Sequence, residues 1–416
     1  MLKDRDPKVW NLINQEHKRQ LSTLTMIPSE NFTSSDVNEA AGSVLTNKYS
    51  EGYPKKRYYQ GNLIVDSIEL LAIDRAKKLF GAEHANVQPL SGSPANQAAY
   101  MAVLQPGDTI MTLDLMHGGH LTHGSKVNFS GKMYNVVHFE VDKHTGLLNM
   151  ENIRKLAAKH KPKMIISGFT AYPRIVDFFE FHNIAQMVGA ISLADISHIA
   201  GLIAGGVHPS PFPFTDIVTT TTHKTLRGPR GAMILCKEKF AKAVDKAVFP
   251  GMQGGPHENV IAAKAVAFKK AMTPEFRDYA FQIVHNAKAL AKVLMDHKVK
   301  LVSDGTDTHL LLIDLIGTPF IAKEGLGRKY AVALEEAGII TNCNTIPFDP
   351  STPFKPSGIR LGTPALTSMG FKENDMVKVG HWIVAVLRNP DNKEVLKMIR
   401  QDIESFLKGR SFYQRN

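Results

Sequence analysis

The residue of this chain best suited to covalent chemistry is Lys224. It lies in TTTTHKTLRGPRG, residues 219–231, where a β-branched run ends in His223-Lys224 and a Gly/Pro-rich turn follows. The carboxyl ends of sheet strands are where open α/β folds bind ligands. Desolvation there, or a neighbouring cation, depresses an amine's pKa and frees it to form a Schiff base. Read by itself, the same lysine is equally a solvated loop residue.

Two further stretches change that balance. In ADISHIAGL, residues 194–202, Asp195 closes an apolar run about one strand–helix–strand unit before Lys224. A carboxylate at such a strand end is costly to bury unpaired. A pyridinium N–H is a natural partner, because an ionised carboxylate keeps that nitrogen protonated and preserves the ring as an electron sink. Alone, this Asp reads as a helix cap or an ion-pair member; His198, three residues on, can reach the same cleft. In SGSPANQAAY, residues 91–100, Ser93 is read as an N-cap with Pro94 at the first helical position. Such a helix start offers backbone N–H groups and a positive dipole end to phosphate. Amine, carboxylate and phosphate cradle together describe a clamp for pyridoxal phosphate. HGGHLTHG, residues 117–124, adds three histidines at spacing three. A zinc site is the rival reading. No Cys or carboxylate lies close in sequence and two glycines interrupt any helix, so no metal is assigned, and His120 is read as stacking on a flat cofactor.

These residues need a sheet to position them. Apolar runs at 109–113, 134–139, 163–167, 190–195, 216–221 and 232–236 read as strands, separated by helical patterns such as 150–160 and 181–188. That alternation predicts an α/β fold with a largely parallel sheet and helices on both faces. Asp6-Pro7 looks like a capped helix start, and Val9, Trp10, Leu12 and Ile13 give the following helix an apolar side suited to an arm. A long helical pattern from 274 to about 297 can bridge two domains. Beyond it, short strands (310–315, 338–342, 359–361) mix with helices ending at 392–407. The expected division is an arm over 1–20, a large domain over 21–273 and a small α+β domain over 274–416.

With 416 residues, 43% apolar and 21% charged, the chain can build such cores. The formal charge of +11 raises nucleic-acid binding, but lysines and arginines are scattered among acids, without a block of like charge. A basic surface around an anion site is the preferred reading, and a nucleic-acid partner is not expected. No apolar stretch is long enough to span a membrane, no signal or transit pattern opens the chain, and Cys236 and Cys343 are too few for a disulfide framework. The expected compartment is the reducing cytoplasm.

Several motifs together resemble those of the serine hydroxymethyltransferase family. They are IPSENF (27–32), LTNKYSEGYPKKRYY (45–59), NVQPLSGSPAN (86–96), HGGHLTHGSKVNFSGK (117–132), ADISHIAGL, TTTTHKTLRGPRG, FPGMQGGP (249–256) and SGIRLGTPALT (357–367). The resemblance implies a fold-type-I enzyme with a mostly parallel seven-stranded sheet in its large domain. It implies reversible transfer of the serine hydroxymethyl carbon to tetrahydrofolate, giving glycine and 5,10-methylenetetrahydrofolate, in a homodimer whose active sites are shared across the interface. Pyridoxal phosphate would be covalent on Lys224, with Asp195 on the ring nitrogen, His120 on the ring face and Thr170 on the phenolic oxygen. Ser91, Gly92, Ser93 and His223 would hold the phosphate, with Tyr49, Gly254 and Gly255 coming from the partner. Arg360 would clamp the substrate carboxylate, supported by Ser29 and His198. Glu51 would transfer the proton, Tyr58 and Tyr59 would flank folate and substrate, and Arg230 would help to order Tyr59. Leu115, Gly119, Leu121 and Asn344 would line the pterin site. Gln60, Leu90 and Met369 depart from the family pattern, as do Ala194 and Ile196-Ser197 around Asp195. A folate-independent aldolase for β-hydroxy amino acids, or a transferase for α-methylserine, is the alternative.

Overall fold

The computed structural model describes residues 1–412. Seven strands form its central sheet: β1 (His84–Asn86), β2 (Thr109–Leu113), β3 (Asn135–Phe139), β4 (Met164–Ser167), β5 (Ile191–Asp195), β6 (Ile217–Thr221) and β7 (Ala232–Cys236). Their spatial order is β1-β7-β6-β5-β4-β2-β3, and only β7 runs antiparallel to its neighbours. Six of the seven stand where the apolar runs predict them. The exception is β1, whose three residues are too few to show a period of two.

The strands read as unbroken apolar runs because both faces of the sheet are covered. Met111, Ile165, Val218 and Met233 point into one core, while their sequence neighbours Ile110, Ile166, Ile217 and Ile234 point into the other. The direction of chain progress reverses between β2 and β4, which opens a crevice at their carboxyl ends.

Helix α1 (Gly92–Val103) follows β1 and leads toward that crevice. Its N-cap is Ser91, not Ser93 as read from the sequence; Gly92 and Ser93 already occupy its first turn. The cause is steric: a Cβ at position 92 would stand 2.8 Å from Thr221 Cγ2, so glycine lets the helix start settle against β6. Near Asp6, the expected cap is present, with the carboxylate accepting from Val9 N–H and Pro7 opening helix Pro7–Leu21. Val9, Leu12 and Ile13 on that helix are exposed.

Helix α2 (Glu258–Ala271) carries a fully buried lysine, Lys264. Its ammonium donates to the carbonyls of Val87 (2.6 Å), Pro89 (3.1 Å) and Ala232 (2.7 Å), using all three of its N–H groups. The stretch leading into α1 is thereby fastened to the strand that follows Arg230. Also buried is Arg57, which pairs with Glu69 and Asp66 and donates to the carbonyls of Ser50 and Gly52. This anchors the short hairpin of residues 52–57 from beneath.

Helix α3 (Pro274–Asp296) starts at the Thr273 cap and serves both halves of the molecule. Ala280, Ile283 and Val284 pack with Leu202 of the sheet domain, whereas Ala287, Leu290 and Leu294 enter the C-terminal core. In the C-terminal half, Lys300–Leu301, Leu310–Asp314, Gly358–Gly362 and Asn342–Asn344 form an antiparallel sheet in that order. The run expected as one strand over 338–342 divides. Ile339–Ile340 pairs instead with Leu24–Thr25 in parallel, while the next strand turns into the small sheet. Leu24, Met26 and Phe32 therefore lie in the C-terminal core, although the sequence groups them with the large domain. Among the described residues, no helix is long and apolar enough to cross a membrane.

Candidate active site

The crevice beyond β2, β4, β5 and β6 holds a cavity of about 250 Å³. Lys224, Asp195, His120 and Thr170 line it, with Ser91, Gly92 and Ser93 at one end and His198 and His223 along the wall. Thus nine residues predicted from separate stretches of the chain meet in one place. The strand-end rule accounts for most of them, since each follows a strand terminus or opens α1.

Asp195 is the best-supported group in the cavity. Its Oδ1 accepts from Ser197 N–H (3.0 Å), and its Oδ2 from Asn96 Nδ2 (2.9 Å) and His123 Nε2 (3.3 Å). Burial alone would push this carboxyl up, but His123 and Asn96 hold it well below the usual carboxylate range. An ionised carboxylate is thereby kept in a low-dielectric site. Asn96 is itself fixed by Thr122 (2.8 Å) and Thr219 (2.6 Å).

Lys224 is partly buried in the cavity wall, and its Nζ makes no hydrogen bond among the described residues. Burial pushes the amine down to about 8, with Arg360 and Arg230 acting in the same sense and Asp195 opposing. His223 is pushed down to about 3, by burial first and then by Arg230 and Lys224. His120 falls to about 4, again mainly through burial. Its Nδ1 accepts from Thr122 N–H (3.2 Å) and lies 2.6 Å from the Thr122 hydroxyl, which leaves the proton on Nε2.

The zinc reading meets one correction. The carboxylate that the fold brings within 4.8 Å of both His120 and His123 is Asp195, from a distant stretch of the chain. Within the trio only His123 hydrogen-bonds the carboxylate, while His120 turns its Nδ1 to Thr122.

Thr170 uses its hydroxyl proton on the carbonyl of Gly119 (2.7 Å), so donating to a ligand requires it to leave that oxygen. Arg360 stands at the cavity edge, with Nη1 on the Thr170 carbonyl (2.6 Å) and Nε on Asn342 (3.2 Å). Burial pushes its guanidinium down to about 10. Ser29 follows Pro28, which packs on Gly362 just beyond Arg360. Leu115 and Gly119 belong to the turn after β2, and half-exposed Leu121 follows it. The Thr345 hydroxyl reaches the Met116 carbonyl at 3.3 Å and brings neighbouring Asn344 to the same rim. Met369 is buried in the C-terminal core, away from the rim.

A second group of predicted residues stands apart from this cavity. Tyr49 donates to Glu51 Oε1 (3.1 Å) and meets the Tyr59 ring edge-on, with centroids 5.0 Å apart. A Cβ on Gly254 would lie 3.0 Å from Glu51, and one on Gly255 3.3 Å from the Tyr49 ring. Tyr58 rests against Phe249. The three tyrosines are exposed, and none of this group lines the cavity of its own chain. Arg230, expected to help order Tyr59, lies in the cavity wall. Sequence reading missed Asn96, Thr122 and His123 as parts of the site. Asn96 carried a signal, since it lies one turn beyond Gly92 on the helix start.

The cavity fits pyridoxal phosphate on its own chemistry. It offers an amine in its wall, an ionised carboxylate, a helix N-terminus without a side-chain cap and surrounding cationic groups. Comparison with known proteins agrees. A family model described as serine hydroxymethyltransferase matches residues 2–383. The serine hydroxymethyltransferase of Desulfotalea psychrophila is 56% identical over 404 residues, covering 97% of this chain and 94% of its own length. That of Acidobacterium capsulatum is 56% identical over 402 residues, covering 97% and 93%. The chain belongs to the serine hydroxymethyltransferase family, fold-type-I enzymes that use pyridoxal phosphate with tetrahydrofolate as co-substrate.

Proposed function

We propose that this protein transfers the hydroxymethyl carbon of serine to tetrahydrofolate, reversibly, giving glycine and 5,10-methylenetetrahydrofolate. The observation that carries the reading is the Lys224 amine sharing one cavity with ionised Asp195. When bound, pyridoxal phosphate supplies the electron sink for charge that develops on the substrate's α-carbon. Lys224 would hold it through Nζ, and Asp195 would keep its ring nitrogen protonated. The N-terminus at Ser91, Gly92 and Ser93, with His223, receives the phosphate. His120 would cover the ring, and Thr170 would serve its phenolic oxygen. Arg360 offers its planar fork to the substrate carboxylate, with Ser29 and His198 beside it. Glu51 moves the proton at the serine hydroxyl. Tyr58, Tyr59, Leu115, Gly119, Leu121 and Asn344 enclose the folate.

The active unit in this reading is a homodimer in which Tyr49, Glu51, Tyr58, Tyr59, Gly254 and Gly255 complete the cavity of the other subunit. Two facts support it: the group lies outside its own chain's cavity, and helix Leu63–Phe80 beside it exposes Leu63, Ile64, Leu70 and Leu71, a seven-residue repeat of apolar pairs. The proposed compartment is the cytoplasm, in keeping with two unpaired cysteines.

The test is serine cleavage by the purified protein with and without tetrahydrofolate. Turnover should depend on the folate and yield glycine and methylenetetrahydrofolate in equal amounts. Cleavage at the same rate without folate would replace this reading with that of an aldolase.

A further inference from the structure

Two histidines span the cleft between the sheet and the C-terminal half. His198 follows β5, and its carbonyl accepts from the hydroxyl of Thr225, next to Lys224 (2.8 Å). His309 directly precedes strand Leu310–Asp314, whose partner strand carries Arg360, and its carbonyl accepts from Thr363 N–H (3.1 Å). Both side chains are buried. His198 Nδ1 and His309 Nε2 lie 3.2 Å apart, and the ring planes differ by 24°. The centroids are 5.4 Å apart, longer than the N···N distance by the depth of the two rings. The imidazoles therefore meet edge to edge in nearly one plane, as a hydrogen bond between ring nitrogens requires.

Burial, and then the cations Lys224 and Arg360, keep both rings neutral. A neutral imidazole has one N–H, so this single bond sets both tautomers at once. Were His198 the donor, His309 would accept at Nε2 and carry its own proton on Nδ1. That atom is buried without a hydrogen-bond partner among the described residues. Nearby His208 offers it nothing, since its Nδ1 donates to the Pro209 carbonyl and its Nε2 accepts from Val176 N–H. Were His309 the donor, Nδ1 would be only an unused lone pair. Buried N–H groups without an acceptor are rarer than under-used acceptors.

We infer that His309 is a positioning residue that donates its Nε2–H to His198 Nδ1. It locks His198 as the Nε2–H tautomer and makes it a one-way hydrogen-bond donor into the cavity. The acceptor this selects is a carboxylate or hydroxyl oxygen of the bound amino acid. That last identity rests on the function proposed above; the tautomer does not.

The experiment is nitrogen-15 NMR of the full-length protein labelled at histidine, as purified and without substrate. The His198 signals are identified by their loss in His198→Gln. His198 should show a protonated Nε2 and a bare Nδ1; a protonated Nδ1 overturns the inference. In His309→Leu the His198 pattern should change, and KM for serine should rise about tenfold with kcat nearly unchanged, the loss expected for one hydrogen bond in a buried site. His309→Gln, whose amide nitrogen can replace Nε2, should restore KM. An unchanged KM in His309→Leu counts against the inference, and if that variant does not fold, the wild-type spectrum alone decides. A bare Nδ1 on His198 in a protein without serine–folate activity would refute the proposed function and leave the tautomer standing.

Discussion

The cofactor cavity and the hairpin region around Tyr49, Glu51 and Tyr59 are built in opposite ways. In the cavity Asp195 and His198 are themselves buried, and Asp195 receives three hydrogen bonds from its own chain. In the hairpin region the functional side chains face outward, and the burial lies beneath them. Arg57 reaches up to the carbonyls of Ser50 and Gly52 while Asp66 and Glu69 hold it below. One region is braced by hydrogen bonds from its own chain. The other is a rigid base presenting exposed tips, the arrangement expected of a surface made to be covered by another molecule.

The strongest test of that contrast removes one residue from each region. Lys224→Ala and Glu51→Gln should each lower serine turnover by roughly 10³-fold or more, as loss of a nucleophile or proton-transfer group does. If the hairpin serves the other subunit, refolding the two inactive proteins together should restore on the order of a quarter of wild-type activity, because half of the random dimers carry one intact site. No recovery would mean that Glu51 serves its own chain. A smaller effect should follow from Arg57→Met. Breaking this buried ion pair should cost about 3–5 kcal/mol of stability, read from denaturant midpoints. A cost below about 1 kcal/mol would show that the hairpin base is held by something else.

The mildest test uses pH on the resting protein. With its amine at about 8 instead of the ordinary 10.5, Lys224 should capture pyridoxal phosphate at a rate rising about tenfold per pH unit below 8 and levelling above it. Between about 8 and 10.5 the unfolded chain binds more protons at this site than the folded one, so the site's contribution to stability rises with pH there. A capture rate still climbing at pH 9.5 would place the amine outside the environment described.

Much of this was legible in the chain. β2 to β7 announce themselves because sandwiched strands must be apolar throughout, and Lys224 and Asp195 are readable because strand ends point at the crevice. The remainder depends on contacts between distant segments. His309 lies 111 residues from His198, and nothing local in THLLL marks it as a partner. His123 looked like a candidate metal ligand until the fold set it against Asp195. The Ser91 cap was displaced by two residues because the decisive contact, with Thr221, comes from another strand. Leu24–Thr25 gave no sign of pairing with residues more than 300 positions away, since a two-residue strand has no pattern to show.

Lys264 has a consequence for how this sequence can change over time. A Cβ at Gly231 would lie 2.6 Å from Lys264 Cε, so a larger residue at 231 requires a shorter one at 264. A shorter residue at 264 would take the ammonium away from three buried carbonyls, two of them on the path into α1. Neither substitution is tolerable first. The two positions are therefore inherited as one unit, and lineages that alter either should be found to have altered both.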